Sequence, residues 1–175
     1  MGTPDFAVQP LQRLLDLEYN VAAVVCQPDR PSGRHLKQTS PPVKKLALQH
    51  GILVLQPDSV RTQIFVDELT ALHPDLIVTA AYGRILPPAV LAVPDHGCIN
   101  VHASLLPAYR GAAPIQWSLV RGETVTGVTI ILMDEGMDSG PILAQQISPV
   151  SSDRPRMIGG ASARICCRAD TSPDS

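Results

Sequence analysis

Cys98-Ile99-Asn100-Val101-His102-Ala103-Ser104-Leu105-Leu106-Pro107-Ala108-Tyr109-Arg110-Gly111 is the stretch on which the reading of the fold turns. It begins as a short apolar run that carries two polar side chains near its end. A proline then breaks the run, and Tyr-Arg-Gly follows. Asn100 and His102 are two residues apart, so on a strand they point to one face. The carboxyl end of a buried strand is where an open α/β sheet places its ligand. Either residue alone has an ordinary structural role open to it. The pair, followed by a rigid loop, points to a site.

Outward from this stretch the pattern repeats. Residues 21–26, 52–55 and 76–81 are short continuous apolar runs, which read as parallel strands buried on both faces. Between them lie helical patterns. Residues 7–17 carry Leu11, Leu14 and Leu15 on one side. A second helix starts at Pro41-Pro42, presents Val43, Leu46 and Ala47, and stops at Gly51. Residues 62–73, 87–93 and 115–121 are three more. Residues 126–133, rich in β-branched side chains, read as a strand, and residues 142–147 as the last one. An acidic, glycine-bearing loop, residues 134–140, lies between these two. Strands alternating with helices predict an α/β fold: a Rossmann-like, mostly parallel sheet with helices on both faces.

The chain has 175 residues, enough for one domain with a core of its own. Aromatic residues make up only 3% of it, so that core must be built from Ala, Val, Leu and Ile. A net charge of -2 gives no global signal for nucleic acid, yet charge is uneven. Arg30, Arg34, Lys37, Lys44 and Lys45 cluster after Asp29, and a local basic loop can bind phosphates or simply be solvated. Cys26, Cys98, Cys166 and Cys167 have no C-x-x-C spacing, which suggests neither a zinc site nor a disulfide framework. No signal peptide and no long apolar run is present. The expectation is a cytoplasmic chain with no membrane partner. G-x-G-x-x-G and G-x-x-x-x-G-K-[ST] are both absent, so dinucleotide and P-loop binding lack local support, and no ligand cluster suggests a metal.

Three polar residues stand at or after the carboxyl ends of expected strands: Asn100, His102 and Asp138. The trio suits acyl transfer to an amine. Asn100 can donate an amide hydrogen to a developing oxyanion. His102 can do the same or shuttle a proton, and Asp138 can orient the histidine or accept the amine's proton through a water. No serine or cysteine nucleophile is needed, because the amine itself attacks. Asp138 alone could equally be an ordinary loop acid.

Asn100-Val101-His102-x-Ser104-Leu105-Leu106-Pro107 with a downstream Asp138 resembles the formyltransferases that use 10-formyltetrahydrofolate. Tyr109-Arg110-Gly111-Ala112-Ala113-Pro114-Ile115 extends the match. Gly2-Thr3-Pro4-Asp5-Phe6-Ala7 and Gln27-Pro28-Asp29-Arg30-Pro31 narrow it to the branch that formylates methionyl initiator tRNA, over residues 2–153. The resemblance implies that the methionyl amine attacks the formyl carbon held on N10 of the folate and that tetrahydrofolate leaves. It implies Asn100, His102 and Asp138 as catalytic residues and Ser104, Leu105, Leu106 and Pro107 as a folate-contacting loop. Backbone groups around Asp138 would line the pterin side. Arg34 and Lys37 would approach the acceptor stem of the tRNA, through salt-sensitive phosphate contacts. No metal is implied, and a monomer is expected. Two alternatives stay open: a folate-binding module without turnover, and formyl transfer to a small amine such as a sugar nucleotide.

The ends differ from that family. Its Gly-Thr-Pro-Asp turn follows an apolar strand central to the sheet, and here Met1 replaces the end of that strand. Without it, two neighbours would face an open slot with unpaired backbone. The cost would rival a net stability of roughly 5–15 kcal/mol. Residues 1–150 are therefore expected to form a catalytic domain incomplete at its start. Residues 151–175 lack periodicity and are expected to be a disordered tail outside the family pattern. A shifted reading frame would turn a His-Asp-Arg run into Met157-Ile158-Gly159. Sequencing the gene across the codons for residues 150–160 tests this, and an uninterrupted genomic frame with the same tail would end the idea.

Overall fold

Successive residues of the apolar runs feed two separate cores, which is why those runs are continuous rather than alternating. The computed structural model describes residues 1–32 and 37–150. In chain order its elements are α1 (Val8–Asp16), β1 (Ala23–Val25), β2 (Arg30–Ser32), β3 (Lys37–Thr39), α2 (Pro42–Gln49), β4 (Leu53–Leu55) and α3 (Gln63–Ala71). There follow β5 (Ile77–Thr79), α4 (Pro88–Leu91), β6 (Cys98–His102), α5 (Pro114–Val120), β7 (Val125–Leu132) and β8 (Ile142–Pro149). Val24 and Cys26 pack with Ala7 and Leu11 from one helical layer and with Val43 and Ala47 of α2. Val25, between them, joins Phe65, Leu69, Val90 and Cys98 on the opposite face. Helices thus cover both faces. Local chemistry sets their starts: α2 has proline in its first turn, where its missing N–H costs nothing. Thr62 caps α3 by accepting from the Phe65 N–H at 3.4 Å.

β1 pairs with β4, and β5 with β6, both in parallel. The α/β class is borne out. β7 runs antiparallel to β6, and β8 antiparallel to β7. Residues 133–141 hold no helix and are too few for a parallel crossover, so β8 must return as a hairpin. The basic segment, expected as a loop, contains a short antiparallel pair, with Arg30 opposite Thr39 and Ser32 opposite Lys37. Its base is held by Asp29, which accepts from Lys44 Nζ at 2.8 Å, Gln56 Nε2 at 2.8 Å and Ser40 Oγ at 3.1 Å. The Lys44 hydrogen bond, then that of Gln56, holds the Asp29 carboxyl below its usual range. Arg34, Cys166, Cys167 and the whole 151–175 tail lie outside the described residues.

Met1 and Gly2 lie between β1 and β5. Gly2 N–H donates to the Val25 carbonyl at 2.9 Å, and Ala80 N–H donates to the Met1 carbonyl at 2.9 Å. Gly2 and Ala80 form a parallel bridge. Beside them Leu11, Val24 and Val78 line an apolar cleft. A Cβ on Gly2 would stand 2.4 Å from the Ala7 Cβ and 2.8 Å from the Ala80 carbonyl oxygen. Only glycine fits that approach. The Met1 amine donates to the Val78 carbonyl. Burial pushes its pKa down to about 6, against small opposing effects of the Cys98 and Cys26 thiols.

Two outcomes follow for stability. Gly2→Ala must displace backbone or Ala7, and is expected to lower unfolding free energy by about 1–3 kcal/mol in urea titration. An unchanged midpoint would contradict the close approach. The Met1 amine releases its proton near pH 6 when folded and near pH 8 when unfolded. Between those values the unfolded chain holds more protons, so this group makes stability rise with pH, by up to about 2–3 kcal/mol. Acetylating Met1 should flatten that rise, and identical pH profiles for free and acetylated 175-residue chains would refute it.

Candidate active site

The site grows from the register of β6. Asn100 sits opposite Thr79 of β5 and Ile131 of β7, and His102 sits opposite Thr129 of β7. Their two-residue spacing puts both on the face towards which the loop after β7 returns. That loop closes on Asp134, whose carboxylate accepts from the Gly136 N–H and the Ser139 hydroxyl, both at 2.9 Å. It delivers Asp138 with φ at 51°, a left-handed backbone that aspartate tolerates better than most residues.

Asp138 joins the trio. Its Oδ1 accepts from Asn100 Nδ2 at 3.0 Å. Its Oδ2 accepts from the Gly111 N–H at 2.9 Å and lies 3.4 Å from His102 Nδ1. The other ring nitrogen, His102 Nε2, is 2.8 Å from the Tyr109 carbonyl. A carbonyl oxygen only accepts, so Nε2 carries a hydrogen. His102 is buried, and the Asp138 side chain is 12% exposed, so the pair stands largely out of water. The second Asn100 amide hydrogen has no protein acceptor among the described residues.

The loop after β6 is held from below by two side chains the sequence reading passed over. Thr129 Oγ1 donates to the Ser104 carbonyl at 2.6 Å and accepts from the Leu106 N–H at 3.0 Å. Gln145 Nε2 reaches both the Leu106 carbonyl, at 2.8 Å, and Thr129 Oγ1, at 3.0 Å. Ser104 donates to the Ala108 carbonyl at 2.6 Å, so its hydroxyl serves the loop's own fold. Leu106–Pro107 is a cis peptide. Ser104 and Leu106 are buried, Leu105 is half-buried and Pro107 is exposed. Tyr109, with φ at 57°, turns its carbonyl towards His102. Its hydroxyl donates to Glu123, which raises the phenol pKa, and the Arg121 guanidinium sits 5.3 Å above its ring.

Asn100, His102 and Asp138 thus converge, and residues 104–107 adjoin them through β6. Of the two residues expected to meet tRNA, Lys37 lies on β3, and Arg34 lies outside the described residues. Thr79 was not foreseen. It donates from Oγ1 towards Asn100 Oδ1 at 2.8 Å. Its signal was a hydroxyl in the otherwise apolar run 76–81, one strand away from Asn100. Thr129 and Gln145 gave no signal, because their partners are backbone atoms distant in sequence. Among the described residues no cluster of three His, Cys, Asp or Glu side chains is arranged to hold a metal.

The chain is 58% identical over 153 residues to the methionyl-tRNA formyltransferase of Trichlorobacter lovleyi, covering 87% of this chain and 48% of that protein. It is 56% identical over 153 residues to the methionyl-tRNA formyltransferase of Ruminiclostridium cellulolyticum, covering 87% and 49%. The chain therefore spans about half the length of the curated relatives it matches. The crystal structure of phosphoribosylglycinamide formyltransferase from Bacillus halodurans superposes with a TM-score of 0.71 at 25% identity, covering 88% of this chain and 80% of that one. Glycinamide ribonucleotide transformylase 1 from Geobacillus kaustophilus superposes with a TM-score of 0.63 at 31% identity, covering 85% and 78%. Residues 1–156 match the sequence family described as formyl transferase, and the chain belongs to that family.

Proposed function

We propose that this chain carries the formyl-transfer chemistry by which 10-formyltetrahydrofolate formylates the amino group of methionyl initiator tRNA, in the cytoplasm and as a monomer. The observation that carries the reading is the Asp138 carboxylate, which joins Asn100 and His102 at the carboxyl end of β6. Family membership and the curated relatives named methionyl-tRNA formyltransferase support the choice of acceptor.

When bound, the folate supplies a formyl group whose carbon accepts the amine. The chain's residues then act on charge and protons. Asn100 has one amide hydrogen on Asp138 and offers the other to the formyl oxygen as negative charge develops there. His102 has Nε2–H committed to the Tyr109 carbonyl, so its Nδ1 side, facing Asp138, is the part that can exchange a proton. Asp138 holds Asn100 in place and can take the proton lost by the attacking amine, directly or through a water. Balance requires that this proton reach N10 as the old C–N bond breaks. Residues 104–107 pass beside this point with their backbone fixed by Thr129 and Gln145, which suits them to shape a folate pocket.

The basic segment supports the tRNA role in a reduced form. Lys44 is paired with Asp29 at 2.8 Å and is not available to phosphate. Lys37, on β3, and Arg34 remain the proposed contacts.

Two experiments test the proposal. Asn100→Ala and Asp138→Asn are expected to lower the rate of formyl transfer to charged initiator tRNA by about 10²–10³-fold. Binding of a tetrahydrofolate analogue should stay within a few-fold of the parent chain. Unchanged turnover would remove these residues from the chemistry, and analogue binding with no transfer by the parent chain would favour a binding module. Arg34→Ala with Lys37→Ala should weaken tRNA use and reduce its salt dependence, with a slope change of about 1 per lost contact. Equal loss with a minimal amine acceptor would count against the tRNA contact.

A further inference from the structure

We infer that Thr79 is a positioning residue: its hydroxyl fixes which way the Asn100 amide faces and strengthens that amide as a donor. An asparagine side chain can be turned over with little change of shape, exchanging its oxygen for its nitrogen. For Asn100 only one orientation works, because its nitrogen end meets Asp138 Oδ1 at 3.0 Å. Turning the amide over would set its oxygen against a carboxylate oxygen, acceptor against acceptor. At the other end, Thr79 Oγ1 stands 2.8 Å from Asn100 Oδ1. That hydroxyl has one hydrogen and three neighbouring acceptors. The others are the Ile99 carbonyl at 3.1 Å and the Met133 sulfur at 3.3 Å. Asn100 Oδ1 is the nearest, and withholding the hydrogen from it would leave two oxygens facing each other at hydrogen-bond distance. The pattern that satisfies every group runs from Thr79 O–H to the Asn100 carbonyl, and from the Asn100 amide to Asp138.

Thr79 is 3% exposed, so water does not replace its hydroxyl. Donation to an amide oxygen draws electron density from the amide nitrogen, which makes its hydrogens better donors, and a low local dielectric enhances this. The hydrogen not given to Asp138 therefore gains strength from Thr79. Its catalytic effect rests on the reading above, in which that hydrogen meets the formyl oxygen. The positioning itself does not.

Thr79→Val removes the hydroxyl and keeps the shape, and Thr79→Ser does the reverse. The side-chain ¹H–¹⁵N signals of Asn100, assigned by their loss in Asn100→Ala, should move in Thr79→Val and stay near their parent positions in Thr79→Ser. Unmoved signals in Thr79→Val would overturn the inference whatever the activity. In the transfer assay, Thr79→Val should lower kcat by about 3- to 10-fold with little change in KM, and Thr79→Ser should keep most of kcat. A purely structural role gives a different order, with rates following stability and no rescue by serine. In an Asn100→Ala background, Thr79→Val should cost nothing more. A further loss there would mean that Thr79 acts elsewhere. Full activity of Asn100→Ala would instead sink the catalytic assignment of Asn100 and leave the spectroscopic result standing.

Discussion

The continuity of the sheet depends on one close approach. Among the described residues, β1 and β4 form one ladder and β5 to β8 another, and Gly2 lies between them, bridged to Ala80 and donating its N–H to the Val25 carbonyl. That bridge exists because a residue without a Cβ fits between Ala7 and the Ala80 carbonyl. The two hydrophobic clusters draw members from both ladders, so their packing requires the ladders to lie side by side. Thr79 stands one residue before Ala80, at the end of β5, and Asn100 stands opposite it on β6. The alignment of the site therefore inherits the alignment of this junction.

The two halves of the sheet do different work. Parallel strands with buried faces form the scaffold on which Thr79 and Asn100 are placed. The antiparallel pair β7 and β8 supplies the polar undersurface of the loop, through Thr129 and Gln145. A hydroxyl that donates once and accepts twice, as Thr129 does, is fully used at a buried position. Such a group fixes the loop without leaving an unmatched atom, which is the condition for burying polar groups at low cost. One buried side-chain polar atom lacks a partner among the described residues, the Tyr82 hydroxyl.

Much of this was legible in the residues. Continuous apolar runs gave the buried strands, and Pro41-Pro42 marked a helix start. The spacing of Asn100 and His102 placed both on one face. Other features were not legible, for physical reasons. The direction of β7 and β8 is set by how the chain returns across the sheet, which no local period encodes. The pairing of residues 30–32 with 37–39 was hidden by Pro31 and by a run of basic residues that read as a loop. Convergence of Asp138 on the trio needed the turn around Asp134 and a left-handed torsion, neither of which a spacing reveals. Thr79 was hidden because its partner lies 21 positions further along the chain.

His102 and Asp138 take two of their partners from the main chain, the Tyr109 carbonyl and the Gly111 N–H. A peptide group is the same whatever side chain it bears. Selection can therefore rewrite the chemistry exposed at position 109, tuning what meets Glu123 and Arg121, while the hydrogen bond to the imidazole persists. What it cannot rewrite is handedness. With φ at 57°, that position admits asparagine or glycine readily and resists β-branched residues. The constraint on position 109 is one of torsion rather than of chemical identity. It sets a narrow list of permitted residues at a surface that otherwise looks free to drift.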